Sequence, residues 1–556
     1  MAVMVISTSL FSNASASETP AEQWFAPYDR TRGDVVGFNF SEGTEFSRQS
    51  TYLAPNYPWG GPVNDGKSPY AAVCNGVLDA RCSEAISFIY HAIFPVCDST
   101  RVIDCIDSVW AEIAGKRSEG IFQESLPAKP KTPYEDNGAT NLITGSTPSI
   151  WKIPGAIHGG NSDLYSVNTL IAQGSDPGAR FRNFNTGGKL SLGISPVTLV
   201  KGNYPGLTAG QPWPVSADEY RVCATHGDNR CALKQAFPKE TRFGISVRMS
   251  QPPLGWLHGR VKSPIASIDQ IASGVKLSIE GEPVVTPAVA GNFLLSEYPE
   301  SVQNSHKNEN GKIIMMQKGG TIGGYGLNPG VKGANVVVYE PTLGGTTSAL
   351  RLLLPLVKDK SAAEPTLWKI STLPYFDDNK IGQCVKNSGK LAGIVSTNST
   401  TYSEGPPVLD QSTQSLDYEL ASAHYTSKGE EFLGSYDLVL DSSVARCIYG
   451  FNKTPTSATV SIVKDGAVEK VSTTTLTEKN GWLSLSAYGF TFSSPKISVK
   501  LNQPVEALPT PVVKVDSPTP TIKKPTTKTI YCVRGTSKKT IKGASPSCPK
   551  GYKVIK

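Results

Sequence analysis

At 556 residues the chain is too long for one hydrophobic core, and roughly two to four domains are expected. Charged residues make up 18%, under the usual ~25%, while Gly (52) and Pro (41) are plentiful, which suits exported, loop-rich β proteins and argues against long helices. Net charge is +7, yet eleven Lys and Arg face Asp516 alone between Lys514 and Lys556; that local +10 leaves the rest at −3 and gives nucleic-acid binding by the body no support.

The chain opens with MAVMVISTSLFSNASAS, an apolar run from Ala2 to Phe11 followed by the small-residue site Ala14-Ser15-Ala16. This reads as an export signal over residues 1–16, cleaved before Ser17. The first basic residue is Arg30, so the charged start of such a signal is expected upstream of the given Met1. No other stretch approaches the ~20 apolar residues that span a bilayer, so the mature chain is expected to be soluble or bound to a surface.

Residues 17–240 are expected to form a disulfide-rich β domain. The ten cysteines of the chain, Cys74, Cys82, Cys97, Cys105, Cys223, Cys231, Cys384, Cys447, Cys532 and Cys548, are even in number, and the first six fall in three loops of identical spacing. A bridge needs Cα atoms within about 7 Å, whereas cysteines eight apart on a helix lie about 12 Å apart. A bridge inside each loop therefore excludes helix and predicts a hairpin. The flanks of Cys97–Cys105 agree: AISFIYHAIF precedes it, and Val109, Ala111 and Ile113 alternate with Trp110 and Glu112 after it. Nested pairing, Cys82 with Cys97 and Cys74 with Cys105, also suits the spacing, although Cys223 and Cys231 repeat the local unit without such neighbours. Metal ligation would want tighter Cys and His clusters, and of six histidines His226 alone sits inside a loop.

Residues 241–380 read as a β-rich middle domain, with RFGISVRMS, GWLHGRVKSPIASI and KLSIEGEPVVTPAVAG as strand-like runs and TSALRLLLPLV as the clearest helix, interrupted by Pro355. On a strand, Trp256, His258 and Arg260 of GWLHGR share one face. Indole for stacking and guanidinium for a carboxylate would suit a sugar acid. The alternative is a structural cluster in which Arg260 satisfies an internal acid.

Residues 381–502 read as a β-sandwich built from SLDYELASAHY, GSYDLVLD, ARCIYGF, SATVSIVKDGAVEKVSTTTL, GWLSLSAYGF and KISVKL. Asp465-Gly466 marks a hairpin turn, Cys384 and Cys447 are expected to bridge the domain, and Trp482 is expected in its core. Residues 503–528 are a Pro/Thr-rich linker, extended and unable to form a packed core. Residues 529–556 follow as a small basic hairpin closed by Cys532 and Cys548.

Catalytic patterns are thin. His-Glu-x-x-His and Gly-x-Ser-x-Gly are absent. HGGNSD (His158–Asp163) has the look of an oxyanion loop but reads better as a polar turn. Ser149/Lys152 and Ser273/Lys276 match Ser-x-x-Lys without partner motifs. Residues 319–333 are glycine-rich without a phosphate-loop Lys, and FDDN (Phe376–Asn379) lacks an ordered calcium loop. No cofactor or metal is implied. The 47 acids single out no glycosidase pair.

The ending YCVRGTSKKTIKGASPSCPKGYKVIK resembles the short basic two-cysteine tail that closes many secreted actinobacterial proteins. PVCDSTRVIDCIDSVWA, GWLHGRVKSP and LDSSVARCIYGF…GWLSLSAYGFTFSSPKISVKL are similar to stretches of large uncharacterised surface proteins of those bacteria. The resemblance implies export and a cell-surface setting and carries no catalytic residues. The expectation is a mainly β, multidomain protein with β-sandwich-like domains, disulfide-clamped hairpins, a linker and a basic C-terminal hairpin. Its expected role is a non-catalytic extracellular or envelope-associated adhesin or carbohydrate-binding protein, its tail meeting anionic cell-wall polymers or glycans. The competing reading is a secreted hydrolase acting on polysaccharide or cell-wall polymer.

Overall fold

A computed structural model describes residues 35–58, 71–129, 142–202, 223–305, 325–326, 335–373, 382–385, 391–502 and 527–555, with short gaps inside these spans. The expected signal at 1–16, FDDN, most of the glycine-rich stretch and all but the last two linker residues lie outside them. The protein is mainly β, in several sheets, and divides into two compact units, Met1–Pro504 and Val505–Lys556.

In the larger unit a central sheet runs through Tyr52–Asn56, Ser87–Ile93, Leu164–Asp176, Lys189–Lys201, Thr366–Leu373, Gly255–Ile271, Leu391–Thr397, Gly434–Asp441 and Trp482–Phe490, each hydrogen-bonded to the next. Pairing is antiparallel except between Gly255–Ile271 and Leu391–Thr397. This ladder crosses residues 240 and 380, the expected domain boundaries. Gly255–Arg260 takes its neighbours from 366–373 on one side and 391–397 on the other, so the three stretches share one backbone network.

A second sheet carries Cys105–Ile113, Thr241–Met249, Gly274–Val285 and the far half of Gly255–Ile271. The 255–271 strand thus serves both sheets. It changes over at a register shift between Lys262 and Ile265, where Ser263 takes φ +50°, as bulges do where a strand bends between sheets. One face of the central sheet (Leu192, Ile194, Leu257, Ile370, Ile394, Val439) meets Phe243, Ile245, Val247, Leu277 and Ile279 of the second sheet in one core.

The opposite face, at the 391–490 end, packs under a third sheet formed by Thr401–Tyr402, Ser415–Ala421, Lys496–Asn502, Ser457–Lys464 and Ala467–Thr475. Tyr436, Leu438, Leu440, Leu483 and Leu485 meet Leu416, Tyr418, Leu420, Ile497 and Val499. Alternate residues of each strand point inward, so two patterned sheets close on one another. The two sheets stack as a sandwich, one layer of which continues into strands outside residues 381–502. Lys464 stands opposite Ala467, the register that the Asp465-Gly466 signal anticipates. Trp482 is half-buried against the other core, shared with the second sheet.

One expected strand is a helix: ARCIYGF falls largely within Ser442–Tyr449. Asp441 accepts hydrogen bonds from the Ser443 and Val444 amides at its start, and Gly450 ends it in the left-handed region. Both cap signals flank the segment and outweigh its β-branched content. The expected helix is present as Thr346–Leu353, continued by a tighter turn, Leu354–Val357, that contains Pro355.

The five disulfides are Cys74–Cys82, Cys97–Cys105, Cys223–Cys231, Cys384–Cys447 and Cys532–Cys548. Pairing in the first three is local, but they do not all clamp hairpins. Cys223–Cys231 lies across a true one, Cys223–Gly227 against Arg230–Lys234, turned by Asp228 and Asn229, both at positive φ. Cys74–Cys82 closes a loop with a short 3-10 turn at Ala80–Cys82. Cys97–Cys105 sits where the chain leaves the central sheet for the second. Its flanks meet at a parallel bridge, Val96 to Ile106, because Ser87–Ile93 pairs with 52–56 and 164–176 whereas Cys105–Ile113 pairs with 241–249.

Candidate functional site

Trp256, His258 and Arg260 do share a face, since Trp256 joins the sandwich core while His258 and Arg260 both meet Tyr402. That face is interior, and the three residues are 1%, 2% and 0% exposed. Arg260 Nε donates to Glu42 Oε1 at 2.8 Å, its Nη atoms donate to the carbonyls of Thr397, Ser399 and Thr400, and the guanidinium lies 4.4 Å from the Tyr402 ring centroid. Lys369, directly opposite Arg260 in the ladder, donates to Glu42 Oε2 at 2.9 Å. The guanidinium that a ligand carboxylate would need is therefore committed to Glu42 and three loop carbonyls, and the internal-acid alternative matches this geometry. Burial pushes the Glu42 carboxyl up, but the charges and hydrogen bonds of Lys369 and Arg260 outweigh it and hold it at about 2.

The triad belongs to a polar row across the central sheet. Asn168, Gly193, Lys369 and Arg260 follow one another in register. One step along, Ser191 Oγ and Ser371 Oγ lie 2.9 Å apart, with His258 opposite Ser371 and its Nδ1 2.9 Å from the Tyr402 hydroxyl. Gly259 lies between, and any Cβ there would overlap the Lys369 carbonyl oxygen. Glu42 was invisible in sequence, being one acid among 47 and 218 residues from its partner.

The remaining motifs resolve into structure. His158 Nε2 donates toward the Leu164 and Val197 carbonyls at 3.1 Å, and its Nδ1 accepts from the Gly160 amide. The amides of Gly159 and Asn161 donate to Ala236 and His158 carbonyls, so these two amides and that of Gly160 are already engaged and not free for an oxyanion. Burial lowers the His158 pKa. Ser149 Oγ accepts from Trp151 Nε1, while Lys152 reaches Asp163 at 3.9 Å, and Lys276 lies 3.2 Å from Asp107. Among the described residues no group of three or more His, Cys, Asp or Glu is placed to hold a metal ion. A buried carboxylate that sequence did not single out, Asp437, accepts from Ser486 Oγ, Tyr488 OH and the Ser263 amide, and burial raises its pKa.

The smaller unit holds a more open site. Lys528–Arg534 is the middle strand of a three-stranded sheet, flanked by Ser537–Gly543 and Lys553–Ile555. The Gly535 turn takes φ +58°, which glycine supplies without strain. Residues 527–555 contain Lys528, Arg534, Lys538, Lys539, Lys542, Lys550 and Lys553 and no Asp or Glu. Register sorts these into two faces. Cys532, fully buried and bonded to Cys548, lies opposite Lys539. The Lys539 ammonium sits 5.2 Å from the Tyr552 ring centroid, and Arg534 lies alongside Gly551. The chain from Cys548 to Tyr552 therefore packs over part of this face, burying Cys532, while Lys528, Arg534, Lys539 and Val554 on it stay exposed. The other face presents Thr529, Tyr531 and Val533 beside Lys538, Thr540 and Lys542 on one strand and Lys553 and Ile555 on the other. Tyr531 is 58% exposed, and the three lysines are exposed. The expected hairpin is thus a three-stranded sheet with the 548–552 chain over part of one face and three exposed lysines beside Tyr531 on the other.

No protein-family model, curated protein or solved structure matches the chain, and among the described residues no helix is long and apolar enough to cross a membrane.

Proposed function

We propose that this is an extracellular, envelope-associated surface protein whose disulfide-stapled β body is held to anionic envelope polymers by its basic C-terminal sheet. The observation that carries this reading is the acid-free 527–555 module, in which Lys538, Lys542 and Lys553 lie with Tyr531 on one exposed face of a sheet backed by a disulfide. Seven cations without a local counter-charge create a positive field that draws polyanions and fades with salt, over a screening length of about 10 Å at 0.1 M. All ten cysteines are paired, a covalent pattern that survives in oxidising compartments. The body's role in this reading is non-catalytic, as a rigid adhesive or carbohydrate-binding scaffold on a Pro/Thr-rich stalk.

The test is retention on isolated cell walls. Full-length protein sediments with walls at low salt and is released as salt rises. A chain lacking 529–556 stays in the supernatant at all salt concentrations. Equal retention of the shortened chain would refute attachment through the tail.

A further inference from the structure

We propose that the open face of the C-terminal sheet takes an acidic polysaccharide, with Tyr531 stacking against a sugar ring while Lys538, Lys542 and Lys553 hold the acid groups on either side. This rests on the attachment reading above and adds the chemical class of the polymer. Lysines alone would serve any polyanion, because an ammonium on a flexible stem is a point charge without shape preference. The aromatic makes the difference. Tyr531 stands on the middle strand, opposite Thr540 on one neighbour and Ile555 on the other, and is 58% exposed on a module too small to need it as surface cover. Ile555, beside it, is 42% exposed and extends the apolar patch. Such a platform fits the C–H face of a pyranose, whereas a bare phosphate chain leaves it wet.

The charges are spaced for the same ligand. Lys538 and Lys542 lie two residues to either side of Thr540, each about 7 Å along the strand from the level of the Tyr531 ring. Lys553, opposite Val533, lies at the same end as Lys538. Cations therefore flank the ring at both ends, as a repeat of sugar and acid requires. Single-stranded nucleic acid also offers rings and charges, but proteins that bind it provide several aromatics in succession and use arginine. Here one aromatic ring is exposed on the face, and Arg534 belongs to the opposite face, against Gly551.

Titration calorimetry with the full-length chain decides the matter, using polygalacturonate, inorganic polyphosphate and single-stranded DNA matched in charge concentration. Tyr531→Ala is expected to weaken polygalacturonate about tenfold, the loss of one stacking contact. Polyphosphate binding should stay within about twofold, since charge contacts are untouched. A triple variant, Lys538→Gln with Lys542→Gln and Lys553→Gln, should weaken both polymers. An equal effect of Tyr531→Ala on both polymers, or none on either, overturns the sugar role and leaves tail attachment standing. No loss in the triple variant overturns tail attachment itself. Tighter binding of the DNA overturns the choice of polymer. Tyr531 is exposed, so its variant is expected to keep the Cys532–Cys548 bond, which peptide mapping without reduction verifies.

Discussion

Arg260 Nε lies 2.8 Å from Glu42 Oε1, and the two side chains are 0% and 7% exposed. Lys369, 10% exposed, completes the triad at 2.9 Å. Three charges share one interior site, and two cations depend on one anion. Removing that anion takes from both buried cations the counter-charge they share, although Arg260 keeps its three carbonyl acceptors.

Glu42→Gln is accordingly expected to cost about 3–5 kcal/mol, the range for breaking a buried ion pair from one side. Urea unfolding measures it, and a loss below about 1 kcal/mol would show the triad to be dispensable. The pH dependence follows from the depressed carboxyl. Its stabilisation is complete above its ordinary value of 4.5 and is lost as pH falls from there through about 2. In the Gln variant that stretch of the acid profile should flatten.

Asp437 is expected to behave with the opposite sign. Burial raises its folded pKa, so it favours the folded state at low pH and loses that contribution as pH rises through the raised value. Asp437→Asn keeps a neutral, hydrogen-bonding group in place. It should melt no lower than the parent at neutral pH, with a difference that grows as pH rises through the raised value and then levels off. A lower melting temperature at pH 7 would mean that the charged form is the one the fold prefers.

The disulfides should rank by loop length. Cys384–Cys447 spans 63 residues, so replacing both by Ala should cost about 4 kcal/mol on loop entropy, against about 2.5 kcal/mol for Cys97–Cys105, which spans 8. Unfolding under matched conditions orders the two. Peptide mapping without reduction should recover Cys97–Cys105 and Cys223–Cys231 as local links; a peptide joining Cys82 to Cys97 would restore the nested scheme.

Two substitutions on the 255–271 strand separate backbone from packing. Gly259→Ala drives a methyl into the Lys369 carbonyl between two paired strands, so little folded protein is expected. Trp256→Ala removes a fully buried indole and should cost about 3–5 kcal/mol without displacing backbone. Folded, soluble Gly259→Ala with parental melting would mean that the strands can separate there.

Local physics made much of this legible. The alternation of Val109, Ala111 and Ile113 marked a strand, and Cys105–Ile113 is one. The run TSALRLLLPLV marked a helix that tightens at its proline. The equal cysteine spacing favoured local pairing over the nested scheme, and the structure has the local links. The spacing could not say which loops were hairpins, since that depends on which sheet each flanking strand joins. ARCIYGF misled because its β-branched and aromatic content spoke louder than the Asp441 and Gly450 caps on either side.

The candidate sites divide in the same way. Alternation alone put Trp256, His258 and Arg260 on one face, and composition alone showed the acid-free tail. Whether a face meets water or another layer is a property of the assembled sheets, and here it turned the trio inward onto Glu42 while leaving Tyr531 in the open. The sequence by itself determined most of the strand content, the even cysteine set with its short loops and the placement of charge, each set by contacts within a few residues or by simple counting. Tertiary structure decided which acid met Arg260, how one strand came to serve two sheets and which face of the tail stayed uncovered, because those outcomes depend on partners up to hundreds of residues apart, whose approach no local pattern encodes.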